Sequence, residues 1–278
     1  MSRRERSPLQ ALPLHAICVI VGLSIVVPVL FGVLGGFKDN GQLVTNPFGL
    51  PSPWVTENYS EILGSLGFWQ PLGNSLLIAV ATTVLVVLAS AMAAFVFARF
   101  AFRGRELLFT LFTIGLMFPF AVAILPLYIL VRELGLSANL LGVALPQAAF
   151  ALPLTIVILR PFFRSIPVEL EDAARIDGCS TLGFFWRILL PLARPALATV
   201  SVLAIVGTWN AFFLPLVVLN GADQWTLPLG AMNFSTEYSS DRARVLAYTV
   251  VSIIPAIVFY AFAERQIVSG LTSGSVKG

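Results

Sequence analysis

The chain has 278 residues, of which 58% are hydrophobic and only 11% charged, about half the charged share usual in a soluble domain. A mean hydropathy of +0.90 excludes an ordinary soluble fold, which has nowhere to hide so much apolar surface, whereas a bilayer removes that need. The net charge of +3 comes from basic residues dispersed between apolar runs rather than gathered on one face, which argues against a nucleic-acid partner.

After Arg3, Arg4 and Arg6 the chain runs apolar from Leu14 to Gly36. That is too long for the core of a signal peptide and long enough to cross a bilayer, so it reads as an uncleaved first span. His15 sits at its edge and carries no expected role. Five further runs of spanning length follow, over 74–98, 107–131, 139–159, 195–219 and 245–263. The expected fold is all-α: a polytopic membrane protein of six transmembrane helices in a single domain, 1–278. Pro28, Pro119, Pro126, Pro146, Pro153, Pro215 and Pro255 fall inside the runs, where a bundle tolerates them as kinks.

The connections set the orientation. Thirteen Lys and Arg fall on the side of the N-terminus, the second and fourth connections and the C-terminus; four (Lys38, Arg132, Arg242 and Arg244) fall on the other. The positive-inside rule then places both termini in the cytoplasm. All 14 acidic residues lie in connections or at span edges. A carrier driven by protons or sodium would be expected to hold a carboxylate mid-span, so energy is expected to come from outside the membrane. Cys18 and Cys179 fall in a span and a cytoplasmic loop and form neither a disulfide framework nor a zinc site. Two long exterior connections, 37–73 and 220–244, offer places for an external partner. The first holds Pro47, Pro51 and Pro53 and a short helix expected at 57–63 behind Thr56; the second holds Trp225, Pro228 and Tyr238.

The fourth connection is neither polar nor rich in Gly and Ser. Pro167 fits a first helical turn, Glu169, Glu171 and Asp172 favour the positive helix end, and Arg175 comes late. Gly178 suits a left-handed C′ position, Ser180 or Thr181 can cap a second helix, and Pro191 ends it. Leu170, Ala173, Ala174, Phe184, Phe185 and Ile188 need a cover, either their own bundle or a cleft on a cytoplasmic partner.

The spacing of Asp172-Ala173-Ala174, Gly178, Ile188 and Leu190-Pro191 resembles the EAA loop of ABC importer permeases, with Asp172 where that family usually has Glu. FGLPSPWVTENYSEIL at 48–63, Asn74-Ser75-Leu76, Thr226-Leu227-Pro228-Leu229 and the terminal QIVSGLTSGSVKG are similar to the second permease of maltose-type carbohydrate importers. WNAFFLPLVVL at 209–219 is similar too, but has Ala211 where the family usually has Glu. The resemblance covers about 45–278 and implies a type I ABC importer permease fold in a bacterial or archaeal cytoplasmic membrane. It also implies a second permease, two ATPase subunits that hold ATP and Mg, an external solute-binding protein and a sugar substrate. No cofactor, metal or catalysis is expected of this chain. Its lysines, Lys38 after Phe37 and Lys277 after Val276, cannot belong to a P-loop, whose lysine follows glycine.

In that reading the loop, about 163–194, is the coupling element. Glu171, Asp172, Ala173, Ala174, Asp177, Gly178, Ile188, Leu190 and Pro191 are its candidate ATPase-coupling residues. Ala174 is expected on the docking face. Sugar recognition needs amides and aromatic faces, which points to Asn74, Gln147, Trp209 and Asn210, or else to helix-to-helix glue. Glycerol phosphate or another polar solute is the alternative cargo. A membrane-embedded enzyme is opposed by the single histidine and the lack of a nucleophile with a base at motif spacing.

Overall fold

The computed structural model describes residues 8–235 and 240–273, with side chains over 15–235 and 240–261. Arg3, Arg4, Arg6, Tyr238, Lys277 and the end of the C-terminal motif lie outside the described residues. Only the helical backbone is described at Arg265 and Thr272.

In chain order the helices are α1 (Pro8–Gly36), α2 (Asn40–Thr45), α3 (Glu57–Gly64), α4 (Leu66–Arg99), α5 (Arg105–Gly115), α6 (Phe120–Glu133) and α7 (Leu140–Ser165). Then come α8 (Glu169–Ile176), α9 (Thr181–Phe184), a π turn (Phe185–Leu189), α10 (Leu190–Leu192), α11 (Arg194–Trp209) and α12 (Phe213–Val218). Last are α13 (Leu227–Gly230), a 3₁₀ turn (Ala231–Phe234) and α14 (Arg242–Ser273). Among the described residues the only β pairing is an isolated bridge, Ser235 to Ser240.

Four helices are long and apolar enough to cross a membrane: α1 from His15, α4, α7 and the Arg242–Ala261 part of α14. Two bent pairs would bring the number to six: α5 with α6, at 100°, and Thr181–Leu192 with α11, at 79°. The third expected span is therefore broken, not merely kinked. Pro119 has no N–H to continue the helix and pushes Phe118 away from helical geometry. The last turn of α5 tightens accordingly, with Met117 N–H donating to Ile114 O at 2.9 Å and Phe118 N–H to Gly115 O at 3.2 Å. The expected fifth run breaks at 210–212. Asn210 Nδ2 donates to Val206 O at 2.8 Å, competing with the backbone ladder, and Pro215 fits only in the first turn of the helix that restarts.

The chain divides into two compact units, Met1–Phe68 with Ala231–Ile254, and Trp69–Gly230 with Pro255–Gly278. In the first, Lys38 is only 1% exposed and its ammonium donates to Asn46 O at 2.7 Å and Pro47 O at 3.0 Å. The buried Asn58 amide donates to Gly36 O and Lys38 O, both at 2.9 Å. Asp39 caps α2, accepting from Gln42 N–H at 2.8 Å; that bond and one from the Gln42 side chain hold its carboxyl below the usual range. Arg244 pairs with Glu61 at 2.5 Å, fixing the start of α14 to α3. The connection 37–56 is thus a folded cap rather than a loose loop.

In the second unit, α7 packs against α11 and α5, and α6 against α12. One apolar core joins Val131, Val143 and Ala144 to Leu214 and Val218. Another joins Ala91, Ala94 and Phe95 of α4 to Leu159 and Phe163 of α7 and to the segment around α8 and α9.

Candidate functional site

The segment 166–194 sits where the charge pattern of α8 sends it. Glu169, Glu171 and Asp172 occupy the first turn and Arg175 the last, each complementing the helix dipole. At its C-terminus Gly178 has φ +79°, Gly178 N–H donates to Arg175 O at 3.0 Å and Cys179 N–H to Ala174 O at 2.8 Å. These two bonds form a Schellman cap, which needs a left-handed C′ residue. Ser180 caps α9 by accepting from Gly183 N–H at 3.1 Å. Pro191 does not end the second helix at once. Its ring crowds the carbonyl four residues earlier; the turn ahead of it widens to π, with Leu190 N–H reaching Phe185 O, and the chain bends after Leu192.

The apolar residues of this segment divide between the two covers that the sequence left open. Ala174, Phe184, Phe185 and Leu189 are buried in the core with Phe95 and Phe163, and Ile188 and Leu190 pack against them. Phe95 and Phe185 ring centroids are 5.1 Å apart. Ala174 therefore does not lie on the outer face, contrary to expectation: the turn that follows α8 folds its C3 position against the bundle. Leu170, Asp172, Ala173, Asp177 and Gly178 are exposed, as are Ile176 at 86% and Leu182 at 64%. An acidic and apolar surface remains on one side of α8, while the other side is anchored.

Charged groups complete the anchor. Glu171 points inward and pairs with Arg175 at 2.7 Å and with Arg99 at 3.8 Å. Nearby, Arg160 pairs with Glu106, donates to Phe97 O at 3.3 Å and lies 3.8 Å over the Phe109 ring. Sequence reading counted Arg99 and Arg160 only as topology signals; the missed clue was that each stands within a turn of an apolar run whose neighbouring connection carries a carboxylate.

The two helix breaks meet at one cavity of about 550 Å³. Phe118 and Phe120 flank the first break, Asn210 and Phe212 the second, and Gln147 and Phe150 of α7 face between them. Both polar atoms of the Gln147 amide are buried with no hydrogen-bond partner. Phe120 and Phe150 stack edge to face at 4.8 Å. Of the four pathway candidates, Gln147 and Asn210 line this cavity. Trp209 does not; it lines a second, almost wholly apolar cavity of about 520 Å³ with Leu76 and Tyr260. Asn74 lines neither: its amide donates to Asp223 O at 2.9 Å and Trp225 O at 3.0 Å, and the adjacent Ser75 Oγ accepts from Leu227 N–H at 2.8 Å. Asn74 and Ser75 pin the connection 220–230. The aromatic lining was missed by sequence reading, although the phenylalanines just ahead of Pro119 and Pro215 were its signal.

The arrangement offers amides and aromatic rings around an uncharged space, and a separate anchored helix with one open face. A diacetylchitobiose uptake system permease protein of Streptomyces coelicolor is 34% identical over 265 residues, covering 95% of this chain and 88% of that protein. An arabinooligosaccharides transport system permease protein of Halalkalibacterium halodurans is 36% identical over 280 residues, covering 99% of this chain and 100% of that protein. The fold is similar to that of a chain in the crystal structure of a bacterial ABC transporter involved in the import of the acidic polysaccharide alginate. There the TM-score is 0.81 at 24% identity, over 95% of this chain and 99% of the other. The family model of binding-protein-dependent transport system inner membrane components matches residues 86–266, and the chain belongs to that family.

Proposed function

We propose that this chain is one of two different permease subunits of an ATP-driven, binding-protein-dependent importer, and that its cargo is a sugar or oligosaccharide. In this reading it is one permease domain with six spans and both termini in the cytoplasm, the bent α5–α6 pair serving as one span and α11 continued by α12 as another, with Thr181–Leu192 left on the cytoplasmic side. It lies in a bacterial or archaeal cytoplasmic membrane. ATP and Mg are held by two partner ATPases, and this chain binds no cofactor or metal. A solute-binding protein delivers cargo on the outer side.

The observation that carries the reading is α8, held by its inner side and open on its outer side with Asp172, Ala173, Ile176 and Gly178. An apolar and acidic face outside the candidate spans is what a groove on a cytoplasmic ATPase would cover. The cavity supports a neutral sugar over glycerol phosphate. Its lining carries Thr82, Gln147, Thr208 and Asn210 with several phenylalanines, and no Lys or Arg. Aromatic faces and amides suit a sugar ring, whereas a buried phosphate needs cationic or backbone donors.

The test is the assembled importer with its binding protein, assayed against a panel of sugars and glycerol phosphate. Stimulation of ATP hydrolysis by an oligosaccharide-loaded binding protein is the expected result. Stimulation by glycerol phosphate alone would replace the cargo assignment, and no stimulation by any loaded binding protein would overturn the importer reading.

A further inference from the structure

Glu171 stands one residue before the run that matches the coupling motif, on a helix whose neighbouring residues Leu170, Asp172 and Ala173 are exposed. It does not join them: its side chain is 8% exposed, as is that of Arg99. Arg99 is the last residue of α4. Its Nη2 donates to Ile166 O at 2.7 Å, in the turn that leads into α8, and its Nε faces Glu171 Oε2 at 3.8 Å. One guanidinium thus hydrogen-bonds the backbone approaching α8 and stands in ion-pair range of a carboxylate on α8 itself, its buried Nε making no hydrogen bond. Arg175, whose own side chain is exposed, donates to the other carboxylate oxygen at 2.7 Å.

We propose that Arg99 and Glu171 form a buried strut that passes movement of α8 into α4, so that Glu171 is a positioning residue for coupling rather than an ATPase contact; this rests on the importer reading above. A small helix docked on a moving partner transmits force only through what ties it to the bundle. Apart from the strut, α8 meets its surroundings through Ala174, which lies in the core, and through α9, against which it packs. The helix at the other end of the strut is well suited to carry movement. α4 spans 34 residues with its one proline, Pro71, near its start; beyond that proline it runs to Arg99 as a rod of about 42 Å at 1.5 Å per residue. Thr82 on the same rod lines the cavity with Gln147, about 26 Å along the axis from Arg99. The path from docking surface to cavity is α8, Glu171, Arg99, α4. The Arg160–Glu106 pair lies at the same end and ties α7 to α5; Arg160 also donates to Phe97 O of α4, but the pair does not include a residue of α8, so Glu106→Gln serves as the control for a charge pair that bypasses α8.

The experiment uses the whole importer in proteoliposomes, with Glu171→Gln, Arg99→Gln, the double variant, the charge-keeping Glu171→Asp and Arg99→Lys, and the control Glu106→Gln. Readouts are ATPase co-purification, basal hydrolysis, and the maximal rate and half-saturation for loaded binding protein. Each neutralising single variant is expected to keep its ATPase and its half-saturation but to lose about tenfold in maximal stimulated rate, a loss of a transition-specific interaction. The double variant should be no worse than either single, because both remove one interaction. Where a neutral variant fails to insert, the charge-keeping pair decides: both should insert and show an intermediate maximal rate. Wild-type stimulation in all strut variants, equal loss in Glu106→Gln, or loss of ATPase co-purification in Glu171→Gln but not in Arg99→Gln would each overturn the strut. Failure of the wild-type complex to respond to any loaded binding protein would instead strike the importer reading itself.

Discussion

At the scale of single residues, the α8 turn separates two effects that the sequence merges. Gly178 has φ +79°, and a Cβ added there meets nothing within 4 Å. Substitution therefore brings backbone strain of roughly 1 kcal/mol without an internal clash, and any larger effect comes from what docks on the turn. Gly178→Ala is expected to lower the melting temperature slightly and leave partial uptake; Gly178→Asp, larger and charged, is expected to abolish uptake while the subunit still inserts. Equal uptake by Gly178→Asp and wild type would remove the turn from the coupling surface. Ala174 and Ala173 give the complementary pair. A carboxylate at buried Ala174 must be desolvated, at a cost of several kcal/mol, so Ala174→Asp should reduce the yield of folded subunit. Ala173 is exposed, so Ala173→Asp should leave yield intact and weaken ATPase co-purification. Identical yields for the two variants would contradict the inward placement of Ala174. The Gly178 cap was legible in the sequence because glycine is the residue best suited to a left-handed turn behind a short helix. The inward aim of Glu171 was not, because a carboxylate on an eight-residue helix reads as surface and nothing local points it at Arg99.

At the scale of elements, continuous apolar runs revealed where helices lie but not where they break. The run 107–131 has no charged residue, and hydropathy is blind to the missing N–H of Pro119 that turns α5 from α6 by 100°. The same holds at 210–212, where Asn210 and Pro215 act together. Both breaks open onto the Gln147 cavity, so its lining comes from residues as far apart in the chain as Thr82 and Leu214, beyond the reach of local pattern. Gln147→Ala removes an amide whose two polar atoms have no internal partner. Losing one or two hydrogen bonds to cargo, each worth about 1 kcal/mol, should reduce cargo-dependent uptake by roughly tenfold with ATPase co-purification unchanged. Unaltered uptake would remove Gln147 from the pathway. Asn74→Ala should behave differently, loosening the connection 220–230 and lowering stability, since both N–H groups of its amide are used by Asp223 O and Trp225 O.

At the scale of the whole molecule, the proposed orientation rests on the thirteen-to-four basic asymmetry. Cys179 is partly exposed beside the α8 turn and should react with a membrane-impermeant thiol reagent in inverted vesicles, in permease expressed without its ATPase, and far less in intact cells. Labelling from the outside would reverse the topology. The family was legible because the coupling motif is a short, rigid local structure that one chain can display in full. The cargo was not, because the cavity takes form only when distant breaks meet. In the proposed function energy enters through α8 from ATP and not through the spans. The most direct measurement is initial uptake by the assembled importer in proteoliposomes, with ATP inside or with a pH gradient alone. Uptake that requires ATP and persists when the gradient is collapsed is the expected result; uptake driven by the gradient without ATP would contradict it.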